Sequence, residues 1–242
     1  MKEFIDCPGA AALAEAAARQ VCACAEAAIA EHGYFAWAVS GGNTPLPAYR
    51  LLADAAWRRR IDWPRVHVFF ADERFVPPDH ADSNYRLVQE HLLLPVGLPA
   101  ANVHGFPLPV AADSALTPEQ SAAAYQQAML EFFAPGPPRF DLVSLGMGPD
   151  GHTASLFPGM DELGDGLVAA VHQSPKPPPQ RLTLTYELLR QAQHLLFIVS
   201  GGDKADLLAE IAAEGEQTKP AGKISAAHGS VLWLVDGLPP RK

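Results

Sequence analysis

Cysteine is scarce in this chain, with three among 242 residues, Cys7, Cys22 and Cys24. An odd number without ligand-like spacing excludes a disulfide scaffold or a zinc ribbon and fits a reducing compartment. Cys22 and Cys24 should fall on different sides of the helix that carries them. Long apolar runs are missing too. No window approaches the roughly 18 uninterrupted apolar residues of a membrane helix, and Met1–Asp6 has too few for a signal peptide, so the expectation is a cytoplasmic protein with no membrane span. Positive charge is in short supply: 18 Lys and Arg stand against 27 Asp and Glu, a net charge of −9. No Lys/Arg run reaches the length that nucleic acid or an anionic membrane surface would call for, so neither is an expected partner. An anionic ligand must then be held by a few local basic groups. Absent as well are a Walker A lysine loop, the Gly-x-Gly-x-x-Gly dinucleotide spacing, a Gly-x-Ser-x-Gly elbow and any metal-ligand spacing. A serine nucleophile is thereby disfavoured, activated water is preferred, and no metal is expected.

What remains is ordinary globular material, 48% apolar and 19% charged, without the low hydrophobicity of disordered chains. It is long enough to bury a sizeable core, and residues 1–242 read as a single α/β domain. No tandem repeat or low-complexity linker divides it. The oligomeric state stays open, and a monomer is compatible with every feature.

Along the chain, strand-like and helix-like segments alternate. Residues 10–30 are alanine-rich, with Leu13, Val21 and Ile29 near one side, the pattern of a packing helix. Tyr34–Val39 is a nearly continuous apolar run, as in a strand buried on both faces. It stops at Ser40-Gly41-Gly42-Asn43-Thr44-Pro45, where Thr44 suits an N-cap and Pro45 a first helical position, with Leu46, Tyr49 and Leu52 turned inward. A strand, a glycine turn and a helix start together make an anion site. Val66–Phe70 is the next strand, followed by the charges Asp72, Glu73 and Arg74, either a solvated exit with an internal ion pair or a ligand-facing cluster. Ser83 caps a short helix holding Leu87, Val88 and Leu92. Residues 95–118 read as irregular around Val103–Phe106, and Thr117–Gln120 is a capping box for a helix reaching about Phe133. Strand candidates follow at Leu167–Val171 and at Arg181–Thr185, with the proline loop Pro175–Pro179 between them and Thr185 suited to cap a helix. His194–Val199 ends in Ser200-Gly201-Gly202-Asp203-Lys204, a second apolar strand closed by Ser-Gly-Gly. Pro220–Ile224 reads as a loop and Ser230–Val235 as the last strand.

The centre of the pattern is Phe140–Pro158. A strand ends there in a turn with three glycines, Gly146, Gly148 and Gly151, that presents Asp150 and His152. Imidazole titrates near neutrality and a carboxylate can fix its tautomer, so the pair is a plausible proton-transfer unit. Alternating strands and helices with glycine turns argue for a doubly wound, mostly parallel sheet flanked by helices, Rossmann-like in layout. Ligands of such sheets sit outside the carboxyl ends of the strands. Ser40–Asn43, Asp72–Arg74, Asp150–His152 and Gly201–Lys204 all stand at such ends. Two glycine turns with Arg74 and Lys204 could hold a phosphate monoester, which carries about −1.5 to −2 charges, and His152 is the obvious base.

Taken in order, Ser40–Pro45, Ala71–Arg74, Ser83-Asn84, Gly146–Pro158, Arg181–Thr183 and Ser200–Lys204 resemble the 6-phosphogluconolactonase family over nearly the whole chain. The resemblance implies the fold of the sugar-phosphate isomerase type and cofactor-free hydrolysis of 6-phospho-D-glucono-1,5-lactone, the second step of the oxidative pentose phosphate pathway. Carried over by position, His152 would be the general base and Asp150 its orienting partner. Arg74 and Lys204 would bind the phosphate or the developing oxyanion beside Ser40, Gly41, Gly42 and Asn43, and Asp72 and Arg181 would complete the pocket. Glucosamine-6-phosphate deaminase, which shares the fold, would carry Glu where this chain has Phe157, Asn where it has Leu156, and typically Tyr where it has Arg74. A non-catalytic sugar-phosphate sensor is the third reading, weakened by the absence of a helix-turn-helix extension.

Overall fold

Short apolar runs bounded by glycine and proline become strands, nine of them among the residues that the computed structural model describes: 2–110, 114–160, 163–164, 166–213 and 217–237. They are β1 (Lys2–Cys7), β2 (Phe35–Val39), β3 (Val66–Phe70), β4 (Asp72–Arg74), β5 (Leu142–Leu145), β6 (Val168–Val171), β7 (Arg181–Leu184), β8 (His194–Ser200) and β9 (Ser230–Asp236). The helices are α1 (Ala10–His32), α2 (Leu46–Ala53), α3 (Ala55–Arg58), α4 (Asn84–Val88), α5 (Leu94–Val96), α6 (Pro118–Phe133), α7 (Tyr186–Gln191), α8 (Ala205–Ala212) and α9 (Pro220–Lys223).

Six strands form one parallel sheet in the order β1-β9-β8-β5-β2-β3. Every residue of β2 and β5 is buried, as continuous apolar strands covered on both faces should be. Trp37 of β2 donates its indole N–H to Ser144 Oγ of β5 at 2.8 Å, satisfying both polar groups in the core. The winding reverses between these two strands. From β2 the chain steps out to β3 at one edge, whereas β5 leads to β8 and β9 on the other side. The crevice beyond the carboxyl ends of β2 and β5 is therefore the place where such a sheet takes a ligand.

The alanine of α1 allows close approach: Ala14, Ala17, Ala18, Ala25 and Ala28 are all buried, and Gly33 closes the helix with φ 93°. Cys22 and Cys24, although on different flanks, are both buried and free, so the helix is covered from more than one side. Burial pushes the Cys24 thiol up to about 12. At the edge strand β3, Tyr125 of α6 accepts from the Phe70 N–H at 2.8 Å and donates to the Phe70 carbonyl at 3.1 Å. Its hydroxyl answers the Phe70 backbone beyond the point where the Val103 segment bridges Val68.

Several expectations need correction. β1 has no counterpart in the sequence reading. Asp72–Arg74 is not a solvated exit but a strand, and with β6 and β7 it forms a separate antiparallel sheet in the order β4-β7-β6. Thr44 does not cap α2, which starts at Leu46 without a side-chain cap. Thr185 stands at the start of α7, but its hydroxyl donates to the Gly166 carbonyl at 2.9 Å instead of capping the helix. Pro220–Lys223 is a helical turn, not a loop. Ser83 and Thr117 do cap α4 and α6, the latter in a complete capping box with Gln120. The helix after Ser83 runs on through a π-helical turn, Gln89–Leu93, into α5. The wider turn accommodates Pro95, which has no N–H to give and whose ring crowds the preceding turn. Irregular structure begins at Gly97, and residues 111–113 within it lie outside the described residues. Among the described residues no helix is long and apolar enough to cross a membrane.

Candidate active site

Two glycine turns at the switch point build the floor of a cleft of about 170 Å³. After β2 the chain passes through Ser40, Gly41 and Gly42, the last with φ 95°. A Cβ on Gly41 would overlap Asn84 Oδ1, so this glycine is required by close approach. After β5, Thr153 donates its hydroxyl to the Gly146 carbonyl at 2.8 Å and the Gly148 N–H donates to the His152 carbonyl at 2.9 Å. Only Gly151 of the three glycines in this turn has positive φ, 83°. Gly148 serves differently, since a Cβ there would overlap the His152 ring and come within 2.8 Å of Asp150 Oδ1.

The turn folds Asp150 onto His152, with Oδ1 and Nδ1 2.5 Å apart. That contact could not be derived from a spacing of two residues. It holds the proton on Nδ1 and leaves the Nε2 lone pair outward, and no hydrogen bond engages Nε2 among the described residues. The ring lies against Phe157, with centroids 4.8 Å apart. Burial pulls His152 below its ordinary value, and the hydrogen bond and charge of Asp150 only partly restore it. Burial alone would raise Asp150, but its bonds to His152 and the nearby Lys176 ammonium bring it below the usual carboxylate range. The two shifts agree once burial is seen to dominate for the imidazole and pairing for the carboxylate. At neutral pH the His152 imidazole is therefore poised unprotonated.

The Asp72–Arg74 cluster splits into three roles. Glu73, 1% exposed, accepts from the backbone N–H groups of Arg74, Asn84 and Tyr85, each at 2.7 Å. It thereby pins the start of α4, and burial raises it to about 7 despite those bonds. Asp72 accepts from Ser155 Oγ at 2.8 Å and from Asn84 Nδ2 at 3.2 Å. Arg74 donates through Nη1 to Asn84 Oδ1 and to the Asp82 carbonyl, both at 2.8 Å. Its Nε is buried with no partner among the described residues, and so is Ser40 Oγ. Both belong to residues that line one cleft, and a buried polar group without a partner is uncommon enough to need an explanation.

The structure brings Ser40, Gly41, Gly42, Asn43, Asp72, Arg74, His152 and Arg181 together as walls of the cleft, with Asp150 beside His152. Arg181 pairs in register with Arg74 across β4 and β7, yet Nε and Nη2 of its guanidinium are engaged by the carbonyls of Lys176, Pro177 and Pro178. Lys204 is not among the cleft walls. Its ammonium turns back to the Ser200 carbonyl at 2.8 Å, and the Gly201 N–H is bound to the Asp236 carbonyl of β9 at 2.7 Å. The second Ser-Gly-Gly turn thus serves the contact between β8 and β9. Asn84, Thr153 and Ala154 were missed as site residues. Asn84 stood inside a quoted motif without a role, and Ala154 holds an unusual positive φ of 47° that no residue type announces. Among the described residues no three His, Cys, Asp or Glu side chains converge as metal ligands would.

A family model described as glucosamine-6-phosphate isomerases/6-phosphogluconolactonase matches residues 8–233. The 6-phosphogluconolactonase of Synechocystis is 41% identical over 86% of this chain and 85% of its own length. The Rattus norvegicus 6-phosphogluconolactonase is 38% identical over 93% of this chain and 86% of its own. The crystal structure of 6-phosphogluconolactonase from Thermotoga maritima superposes with a TM-score of 0.83 at 29% identity, covering 97% of this chain and all of that one.

Proposed function

Because the chain belongs to the glucosamine-6-phosphate isomerase/6-phosphogluconolactonase family, we propose that its cleft works as a lactonase site in which His152 activates water. The reaction is hydrolysis of 6-phospho-D-glucono-1,5-lactone to 6-phosphogluconate, a step of the pentose phosphate pathway. His152 Nε2 takes a proton from water as the oxygen adds to the lactone carbonyl, and the imidazolium then returns a proton to the departing ring oxygen. Asp150 holds the tautomer and stabilises the transient imidazolium, the role of the acidic member of a triad. Arg74 and the Ser40–Asn43 turn take the anionic groups, with Asp72 and Arg181 fixing the frame around them. Lys204 joins this set only when its ammonium leaves the Ser200 carbonyl. The whole chain acts as one domain and works in the cytoplasm, in keeping with three free cysteines.

One observation carries the reading: a carboxylate-bound imidazole with a free Nε2 lines a cleft in which Arg74 Nε and Ser40 Oγ have no partner. The deaminase alternative meets an apolar ring at Phe157, 1% exposed and packed on His152, where a second acid–base group would be needed. The test is turnover of freshly generated lactone above its spontaneous hydrolysis, unaffected by chelator. In His152→Ala, kcat should fall by about 10²–10⁴-fold with 6-phosphogluconate affinity nearly kept. Ammonia release from glucosamine 6-phosphate, or binding without turnover, would replace the assignment.

A further inference from the structure

The loop between β6 and β7, Pro175–Gln180, contains four prolines and a single charged side chain, Lys176. It is held with unusual thoroughness for an exposed segment. The Lys176 carbonyl accepts from Ser174 Oγ at 2.8 Å and from Arg181 Nη2 at 3.2 Å, and its N–H donates to Ser174 Oγ at 3.2 Å. Arg181 also donates to the carbonyls of Pro177 and Pro178, each at 3.1 Å, and the Ser174 N–H reaches the Pro179 carbonyl at 2.9 Å. Arg181 itself is 5% exposed. A guanidinium is costly to bury, and this one is spent on fixing the backbone from which Lys176 projects. The Lys176 ammonium stands 3.8 Å from Asp150 Oδ1, with the lysine side chain 41% exposed. Neither Lys176 nor Asp150 is a cleft wall, so the lysine reaches the reaction through Asp150.

We propose that Lys176 is a positioning residue of the lactonase reaction: delivered by the proline strap to the same Asp150 oxygen that meets His152, its ammonium steadies that carboxylate and disfavours protonation of His152. The inference rests on the reading of His152 as the base. The charged groups around His152 are Asp150 on its own turn, Lys176 from the strap, Asp72 and Arg74 from β4, Arg181 behind Phe157, and Lys219, whose stem packs on Gly151. Asp150 and Asp72 favour the imidazolium, and Lys176 opposes them. Removing the Lys176 charge raises the pH at which His152 loses its proton. The acidic limb of kcat/KM then moves to higher pH.

The experiment compares wild type, Lys176→Met and Lys176→Arg by the pH profile of kcat/KM and by NMR titration of the His152 ring protons. In Lys176→Met both should move to higher pH, with kcat/KM lowered about two- to fivefold on the acidic limb, the size of a partly exposed ion pair, and unchanged on the plateau. Lys176→Arg should restore both. A uniform loss at every pH with raised KM would overturn the proposal by making the lysine a substrate contact, and an unmoved NMR titration would overturn it by removing the coupling. A moved titration with an unmoved rate profile would take away His152 as the base, and the role of Lys176 with it. The titration reads the coupling whatever His152 does in catalysis, so the two failures are separable.

Discussion

Which nitrogen of His152 meets the cleft is decided by the space over Gly148. With hydrogen in place of a side chain there, the imidazole can lie against the turn and reach Asp150. A methyl group at this position cannot coexist with the ring. On the proposed role of His152, Gly148→Ala should therefore resemble loss of that histidine, with kcat down by about 10²-fold or more, while the thermal midpoint stays close to that of the wild type because the turn faces a cleft. Parallel measurement of kcat and melting separates the two effects, and near-normal kcat would show that the ring can leave Gly148 and still work. Gly41 makes the same kind of demand on Asn84 Oδ1, and through it on Arg74.

Among the elements, α4 shows how a charged cluster becomes a scaffold. The free N–H groups at its start are answered by Glu73 of β4, so the strand and the helix that hold Arg74 and Asn84 are locked to one another. Glu73→Ala leaves buried donors unanswered and should cost about 2–4 kcal/mol in denaturant unfolding. It should also weaken product binding, because Asn84 and Arg74 shift together, and a loss under 0.5 kcal/mol would mean that water replaces the carboxylate. The acidic cluster was visible in the sequence, but its partition was not. Asp72, Glu73 and Arg74 are adjacent in the chain, and their partners Ser155, Asn84 and Asp82 become neighbours only after folding. The buried strands β2, β3, β5 and β8 were legible because burial on both faces writes a continuous apolar run. β1 escaped because its residues are half exposed, with Cys7 the one fully buried, so no periodicity marks it. β6 and β7 were recognised as strands, yet nothing in four-residue segments tells a parallel neighbour from an antiparallel one. The repeated motif did not reveal that Ser-Gly-Gly after β8 packs on β9, with Lys204 turned to the Ser200 carbonyl, whereas after β2 it opens to the cleft.

For the whole molecule, a half-buried histidine and a buried glutamate act against each other in mild acid. His104, stacked on Phe69 and 3.1 Å from His67 Nδ1, is pulled down to about 4 by burial and then by the charge of His67. The unfolded chain binds its proton first as pH falls, so this group removes stability from near 6.5 down to about 4. Glu73 has the opposite sign: its folded value of about 7 lies above the unfolded one, so stability is lost as pH rises from about 4.5 through 7. Across their shared window the two slopes offset. His104→Phe keeps the stacking and removes the acid-labile proton site, so stability should hold or rise as pH falls toward 5 where the wild type is flatter. Urea unfolding at several pH values checks this, and parallel curves for the two proteins would contradict it.

The pairing of β1 with β9 also bears on the order of events during synthesis. Of the described strands β1 is made before the rest, and its one partner among the described residues is β9, the latest of them, in the register Lys2–Val231. Until β9 is made, β1 has no described strand to pair with, while β2, β3 and β5 find one another earlier. Closing that pair is a long-range step of the slow kind. A ribosome-stalled chain ending before Ser230 should leave Lys2–Cys7 open to protease while β2 and β5 are already protected, and release of the full chain should close it.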